Sequence, residues 1–359
     1  MRPAEYSEGR EGLADLKAES VNTSLRYTSD DEAGLSRRRR GSGFVYVGPN
    51  GKVVRDASEL ARIKSLVIPP AWNDVWISPD PQGHIAATGR DARGRKQYRY
   101  NPKFIALRDA AKFEHLVDFA RCLPKLRRRI HADMARPGLP REKVLATVVH
   151  LLETTNSRIG NEDYAKNNNS FGLTTLRNRH VRVRGNEMRF VFRGKSGKMW
   201  SFAVQSRRVA HVVRACQELP GQHLFDYLDE AGEARKVDSA DVNEYLREAS
   251  GHDVTAKDFR TWTGTIDVAL ALHASACRDE RPTKARVREA IERTAERLGN
   301  TVAVCRKCYV HPEIIAAFEE GALALAIPEN AGRARSRFAL RPEEKAVLAF
   351  LERRMRRKR

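Results

Sequence analysis

Residues Asn300–Pro312 read NTVAVCRKCYVHP, and Tyr309 within them decides how the rest of the chain is read. Gly299 just before is a helix stop. Pro312 suits the first turn of the next helix, which carries Ile314, Ile315 and Phe318. Upstream stand Arg158, Lys195 and Arg260, each in a segment with distinctive wording. Two arginines hold a phosphate by paired hydrogen bonds. A tyrosine serves as a covalent nucleophile, and a lysine on a turn protonates a leaving oxygen. With the side-chain amide of Asn300 the set suits metal-free attack on a phosphodiester.

The chain of 359 residues carries a formal net charge of +20. That excess calls for a polyanionic partner, and double-stranded DNA fits it best. Apolar content is 41%, ordinary for a globular protein, and the length allows two domains. No apolar run approaches the roughly 18 to 20 residues a spanning helix needs, so no membrane partner is expected. The N-terminus MRPAEYSEGREGLADLKAES is polar and unlike a signal peptide, which points to the cytoplasm, with nucleoid association in a bacterium. The cysteines Cys122, Cys216, Cys277, Cys305 and Cys308 are odd in number and scattered, as in a reducing compartment. Cys305 and Cys308 form a CxxC, but no second one exists and His311 does not complete a zinc set. Both read as helix-packing residues.

Along the chain the expected class is α+β. Residues 1–24 lack hydrophobic periodicity and read as a flexible tail. Residues 25–106 read as a small antiparallel β domain that binds DNA. There Gly43–Val54 forms a hairpin, a second hairpin turns at Pro79–Gly83, and Pro69 and Pro70 exclude helix between them. Residues 107–338 read as a mainly helical catalytic domain. Val144, Leu145, Val148, Leu151 and Leu152 mark one helix, and Val287, Ile291, Ala295 and Leu298 another. A three-stranded β meander from about His180 to Val204 interrupts it, and its second turn, Gly194–Gly197, projects Lys195. Residues 339–359 read as a short helix opening at Pro342 and a basic tail, RRMRRKR.

The RGKSGK turn is no phosphate loop. Arg189 occupies the position where that loop needs its first glycine, and the turn joins two strands. No HExxH or EF-hand pattern appears, and neither a nucleotide, a metal nor any other cofactor is expected. Taken singly, the candidates have bland readings. Arg158 is a surface ion pair, Lys257 and Arg260 a solvated basic face one helical turn apart, Lys195 a solvent-exposed turn residue, and Tyr309 core packing. Their joint occurrence in this order carries the argument.

The segments RIGNEDYAKNNNSFGLTTL from Arg158, FRGKSGK around Lys195, AKDFRTW around Arg260 and NTVAVCRKCYVHP resemble the catalytic segments of type IB DNA topoisomerases. The nearest likeness is to the compact poxvirus-like group with bacterial members. IPPAWNDVWISPD and GRDARGRKQYRYNP resemble that group's N-terminal domain, so the likeness covers roughly residues 36–325. It implies a tyrosine recombinase/topoisomerase IB-like catalytic fold and a monomer whose two domains clamp DNA. It implies relaxation of supercoils through a 3'-phosphotyrosyl intermediate, without ATP or metal. By the same likeness Tyr309 is the nucleophile, Arg158 and Arg260 hold the scissile phosphate, and Lys195 protonates the departing 5'-oxygen. Asn300 stands where many members have histidine. An amide donates a hydrogen bond but does not titrate, so its role is electrostatic support. Lys257 helps organise the arginines. Lys96, Gln97, Tyr98 and Tyr100 match DNA contacts, with Gln97, Tyr98 and Tyr100 placed to reach bases in the major groove. Arg37–Arg40 read as phosphate contacts. Two other functions compete: a tyrosine site-specific recombinase, and a non-catalytic architectural DNA-binding protein. Recombinases usually carry histidine where this chain has Lys257, and the RGRKQYRY run also favours the topoisomerase.

Overall fold

The computed structural model describes residues 25–278, 282–328 and 336–357. The expected N-terminal tail lies outside them. The chain divides into two compact units, Met1–Phe113 and Glu114–Arg359.

The first unit is built on a five-stranded antiparallel sheet. Its strands are β1 (Leu35–Arg40), β2 (Gly43–Val47), β3 (Asn73–Ile77), β4 (Ile85–Arg90) and β5 (Lys96–Tyr100), in the order β2-β1-β3-β4-β5. Alternation along β3 turns Val75 and Ile77 inward, where they meet Leu35, Ala87 and Ile63. The second hairpin forms as expected, β3 pairing with β4.

Three expectations for this unit are corrected. Gly43–Val54 is not a two-stranded hairpin. Its first strand, β2, pairs with β1, and its second half contributes only a bridge, Val47 to Val53. Helix is not excluded before the prolines, since α1 spans Ala57–Ser65. Asp56 caps it by accepting from the Glu59 amide at 2.8 Å, Ile63 anchors it on the sheet, and it ends ahead of Pro69. The Arg37–Arg40 run is itself a strand. Arg37 donates to the carbonyls of Ile68, Pro69 and Trp72, so its guanidinium ties the prolines' loop to the sheet rather than facing a phosphate. Arg38, Arg39 and Arg40 remain at least partly exposed.

The second unit is mainly helical. Helix α2 (Pro102–Asp133) buries Leu116, Phe119, Leu123, Leu126 and Ile130 at helical spacing within it. Helix α3 (Arg141–Thr155) is buried on most sides, because Ala146 and Val149 join the expected apolar stripe. After α4 (Glu162–Asn168) comes the meander of β6 (Val181–Arg184), β7 (Glu187–Arg193) and β8 (Met199–Gln205), in that order. Strand β7 alternates strictly, with Met188, Phe190 and Phe192 inside. Helix α5 (Arg207–Gln217), a short ladder of β9 (Asp226–Leu228) and β10 (Ala234–Lys236), and α6 (Ser239–Ser250) follow. The ladder escaped the sequence reading because strands this short show no periodicity.

Helix α7 (Ala256–Ala276) is the hub. It packs against α3 and against the four later helices α8 (Lys284–Leu298), α9 (Val302–Tyr309), α10 (Pro312–Glu319) and α11 (Pro342–Arg356). Thr283 caps α8, Gly299 ends it in the left-handed region at φ 63°, and Pro312 opens α10. The basic run at Arg353 starts inside α11 rather than after it. Arg354 pairs with Glu313 and Glu320, which ties it to the fold.

A buried charge cluster pins α11. Arg127 of α2 meets Glu153 of α3 and Glu344 of α11, each at 2.7 Å, with side chains only 9%, 14% and 5% exposed. Arg127→Ala would leave two carboxylates buried without their cation. It is expected to destabilise the protein by about 3–5 kcal/mol in urea unfolding. A loss under about 1 kcal/mol, typical of an exposed pair, would show that water reaches the cluster.

Candidate active site

Tyr309 closes α9, and α7 dictates its position. At Gly264 of α7 a Cβ would lie 2.5 Å from the Tyr309 carbonyl oxygen, so only glycine allows this approach. The next residue fixes the exit of the chain, as Thr265 Oγ1 donates to Tyr309 O at 3.5 Å and accepts from the His311 amide at 3.1 Å. The tyrosine side is thus held by backbone on a rigid helix, and Tyr309 is 7% exposed.

Arg260 is one turn earlier on α7 and only 3% exposed. It donates to the Asn156 carbonyl and, at 2.5 Å, to the Leu298 carbonyl. Asn156 ends α3 in the left-handed region at φ 55°, and Leu298 ends α8. One guanidinium therefore buckles together the two helix ends from which Arg158 and Asn300 project. Its Cζ lies 5.1 Å from the centre of the Tyr309 ring. Burial first, and the repulsion of Arg158 next, push the Arg260 pKa down to about 10.

Arg158 completes the set. Its Nη2 donates to Asn300 Oδ1 at 2.5 Å and to Gly299 O at 3.4 Å, and its Nη1 reaches Tyr309 Oη at 3.5 Å. With Oδ1 engaged, the Asn300 amide nitrogen is left to donate. Three N–H donors of this connected set are buried without a hydrogen-bond partner among the described residues: Arg158 Nε, Arg260 Nε and Asn300 Nδ2. Orphaned donors cost free energy, and an anion would satisfy them.

The field acts on the phenol. Burial raises the Tyr309 pKa, but Arg260, Arg158 and Lys257, together with a hydrogen bond from Arg260, bring it below the ordinary phenol value. The phenolate form is favoured by groups that lie far apart in the sequence. Lys257 enters through this field. Cys305, on the same helix as Tyr309, is fully buried, and burial lifts its thiol to about 12, as befits a packing residue.

Lys195 stands apart from this set. It is exposed at the tip of the β7–β8 turn, where Ser196 and Gly197 are both left-handed at φ 61° and 77°. Gly194 N donates to Lys198 O at 2.8 Å and closes the turn.

The DNA-contact candidates lie on β5, at the edge of the sheet of the first unit. Tyr98 and Tyr100 share a face and stack at 5.8 Å. Gln97 faces the other way and donates to Asp91 Oδ2 at 3.1 Å, while Lys96 pairs with Asp30 at 2.7 Å. Sequence reasoning missed Gly264 and Thr265. A glycine inside a helix is the one signal that could have marked a close approach.

A phenol, two guanidinium groups and an amide meet in one connected set whose buried N–H donors could hold an anion beside the phenol. The family described as eukaryotic DNA topoisomerase I, catalytic core, matches residues 101–326, and the bacterial DNA topoisomerase IB N-terminal domain matches residues 43–91. DNA topoisomerase 1B of Acanthamoeba polyphaga mimivirus is 32% identical over 285 residues, covering 77% of this chain and 85% of that protein. DNA topoisomerase I of Monkeypox virus is 26% identical over 234 residues, covering 63% of this chain and 70% of that protein. DNA topoisomerase 1B of Vaccinia virus (strain Copenhagen) is 25% identical over 233 residues, covering 63% and 70%. The chain belongs to the type IB DNA topoisomerases. It is an enzyme of the isomerase class, and neither the recombinase nor the architectural alternative is favoured.

Proposed function

We infer that this enzyme relaxes supercoiled double-stranded DNA by cleaving one strand with Tyr309, without nucleotide or metal, and acts as a monomer. Tyr309 Oη attacks the scissile phosphorus, the bond to the 5'-oxygen breaks, and a 3'-phosphotyrosyl link forms. Arg158, Arg260 and Asn300 hold the non-bridging oxygens, where negative charge grows in the transition state. Lys195 gives its proton to the departing 5'-oxygen. The link to tyrosine is itself a phosphodiester, close in energy to the bond broken. Religation therefore needs no hydrolysis of a nucleotide, and strain is released while the strand is open. Lys96, Gln97, Tyr98 and Tyr100 contact the duplex from the β domain, which requires Gln97 to exchange Asp91 for a base edge.

The observation that carries this reading is the set of three orphaned buried donors wired to the Tyr309 hydroxyl. Guanidinium groups supply the charge that a metal ion would otherwise bring. Relaxation of both positively and negatively supercoiled plasmid is expected with no ATP and in excess EDTA. Strict dependence on added magnesium or nucleotide would refute the mechanism.

A further inference from the structure

Lys195 poses a positioning problem. The turn that carries it is exposed from Lys195 to Lys198, and both Ser196 and Gly197 are left-handed. A general acid must meet its oxygen within hydrogen-bond reach. Something has to hold this turn against the set around Tyr309.

Trp200 lies opposite Phe192 in the β7–β8 register, two residues beyond the turn's last hydrogen bond. Two glycines border its indole. A Cβ on Gly194 would fall 2.6 Å from Trp200 Cδ1 and 2.7 Å from Nε1. A Cβ on Gly299 would fall 2.7 Å from Trp200 Cζ2 and 3.4 Å from Cε2. The five-membered side of the ring thus rests on the backbone next to Lys195. The six-membered side rests on the backbone next to Asn300. Gly299 is also the residue whose carbonyl accepts from Arg158, at 3.4 Å. The indole therefore touches both the Lys195 turn and the Gly299–Asn300 segment, and both contacts occupy space that any side chain would fill.

We propose that Trp200 is a positioning residue that wedges the Lys195 turn against the Gly299–Asn300 segment and so aims Lys195 at the leaving 5'-oxygen. This rests on the reading of Lys195 as general acid. The ring acts through the two backbones it packs on, Gly194 and Gly299, and not on the reacting atoms themselves. The turn's own backbone hydrogen bonds close it but do not tie it to the Gly299–Asn300 segment, which the ring does, and small misplacement of a reacting group is costly: about 1 Å can lower a rate roughly 10²-fold.

The test is single-turnover cleavage of matched DNAs with oxygen or sulfur at the bridging 5' position. Sulfur leaves as a thiolate and needs no proton. On the oxygen substrate Trp200→Ala is expected to cleave roughly 10-fold to 10²-fold slower, and Trp200→Phe to fall between it and the unaltered enzyme. On the sulfur substrate both are expected to approach the unaltered rate, as is Lys195→Ala. The double variant Lys195→Ala/Trp200→Ala should be no slower on oxygen than Lys195→Ala alone, because the ring acts through the lysine. A Trp200→Ala defect equal on both substrates, with Lys195→Ala rescued by sulfur, would overturn the wedge and leave the general acid standing. Additive losses in the double variant would overturn it too. Lys195→Ala slow on both substrates would overturn the general acid, and the wedge with it. Should Trp200→Ala fail to fold by circular dichroism, Trp200→Phe carries the same comparison.

Discussion

Tyr309→Phe is expected to bind duplex DNA as the unaltered enzyme does and to cleave none of it. The substitution removes one oxygen. The ring stays where α7 holds it, since Gly264 and Thr265 fix the backbone at Tyr309 rather than its hydroxyl. The Arg260 guanidinium keeps an aromatic face 5.1 Å away. Losing the hydroxyl removes the long 3.5 Å hydrogen bond from Arg158 Nη1 and the hydrogen bond from Arg260, so a loss of stability of about 1 kcal/mol is expected, without unfolding. The guanidinium and amide donors that hold the phosphate in the proposed mechanism remain, which preserves affinity, while no other side chain of the connected set is a nucleophile. Binding is read by electrophoretic shift and cleavage by single turnover. Covalent product from Tyr309→Phe would show that another residue attacks.

Arg260→Lys is expected to lose a factor of about 10² to 10³ in single-turnover cleavage, the range for removing one donor from a charge-stabilising site. Lysine keeps the charge but has no planar fork. Arg260 donates to the Asn156 and Leu298 carbonyls at once, which brings together the helix ends bearing Arg158 and Asn300. An ammonium has three donors but carries them all on one nitrogen, so it cannot place them at both carbonyls and at a phosphate as the separate nitrogens of the fork do. The phenol suffers as well, because Arg260 is the strongest of the groups that lower its pKa. Arg260→Ala adds two buried carbonyls without donors and should cleave still more slowly and melt earlier. A Lys variant within tenfold of the unaltered rate would mean that charge alone suffices and the fork is dispensable.

How much of the fold and site was legible in the residues follows from the range of the forces involved. Thr283, Gly299 and Pro312 act through their own backbone, so the ends of α8 and the start of α10 were readable locally. The alternation of Met188, Phe190 and Phe192 likewise revealed the meander. Strand β1 was not legible as a strand because LSRRRR has no apolar alternation. It is a strand by virtue of the ladder that GFVYV offers it, and Arg37 finds its carbonyls on a loop more than thirty residues away. The site followed the same rule. Residue types in order suggested the chemistry of Tyr309, Arg158, Arg260 and Asn300. Their wiring could not be read, because it runs through the carbonyls of Asn156 and Leu298. Gly264 and Trp200 were invisible for the same reason. What makes each necessary is an atom brought close by the fold, the Tyr309 carbonyl for one and the Gly194 and Gly299 backbones for the other.

In the proposed mechanism Tyr309 itself carries the DNA. The direct measurement uses a duplex whose cleaved strand loses its downstream fragment, so that religation fails and the adduct accumulates. Proteolysis and mass spectrometry of the adduct then locate the attached nucleotide. The expected result is a peptide containing Tyr309 joined through its phenolic oxygen to a 3'-phosphate, formed in EDTA without ATP. An adduct on any other residue, or a link to the 5' end of the DNA, would contradict it.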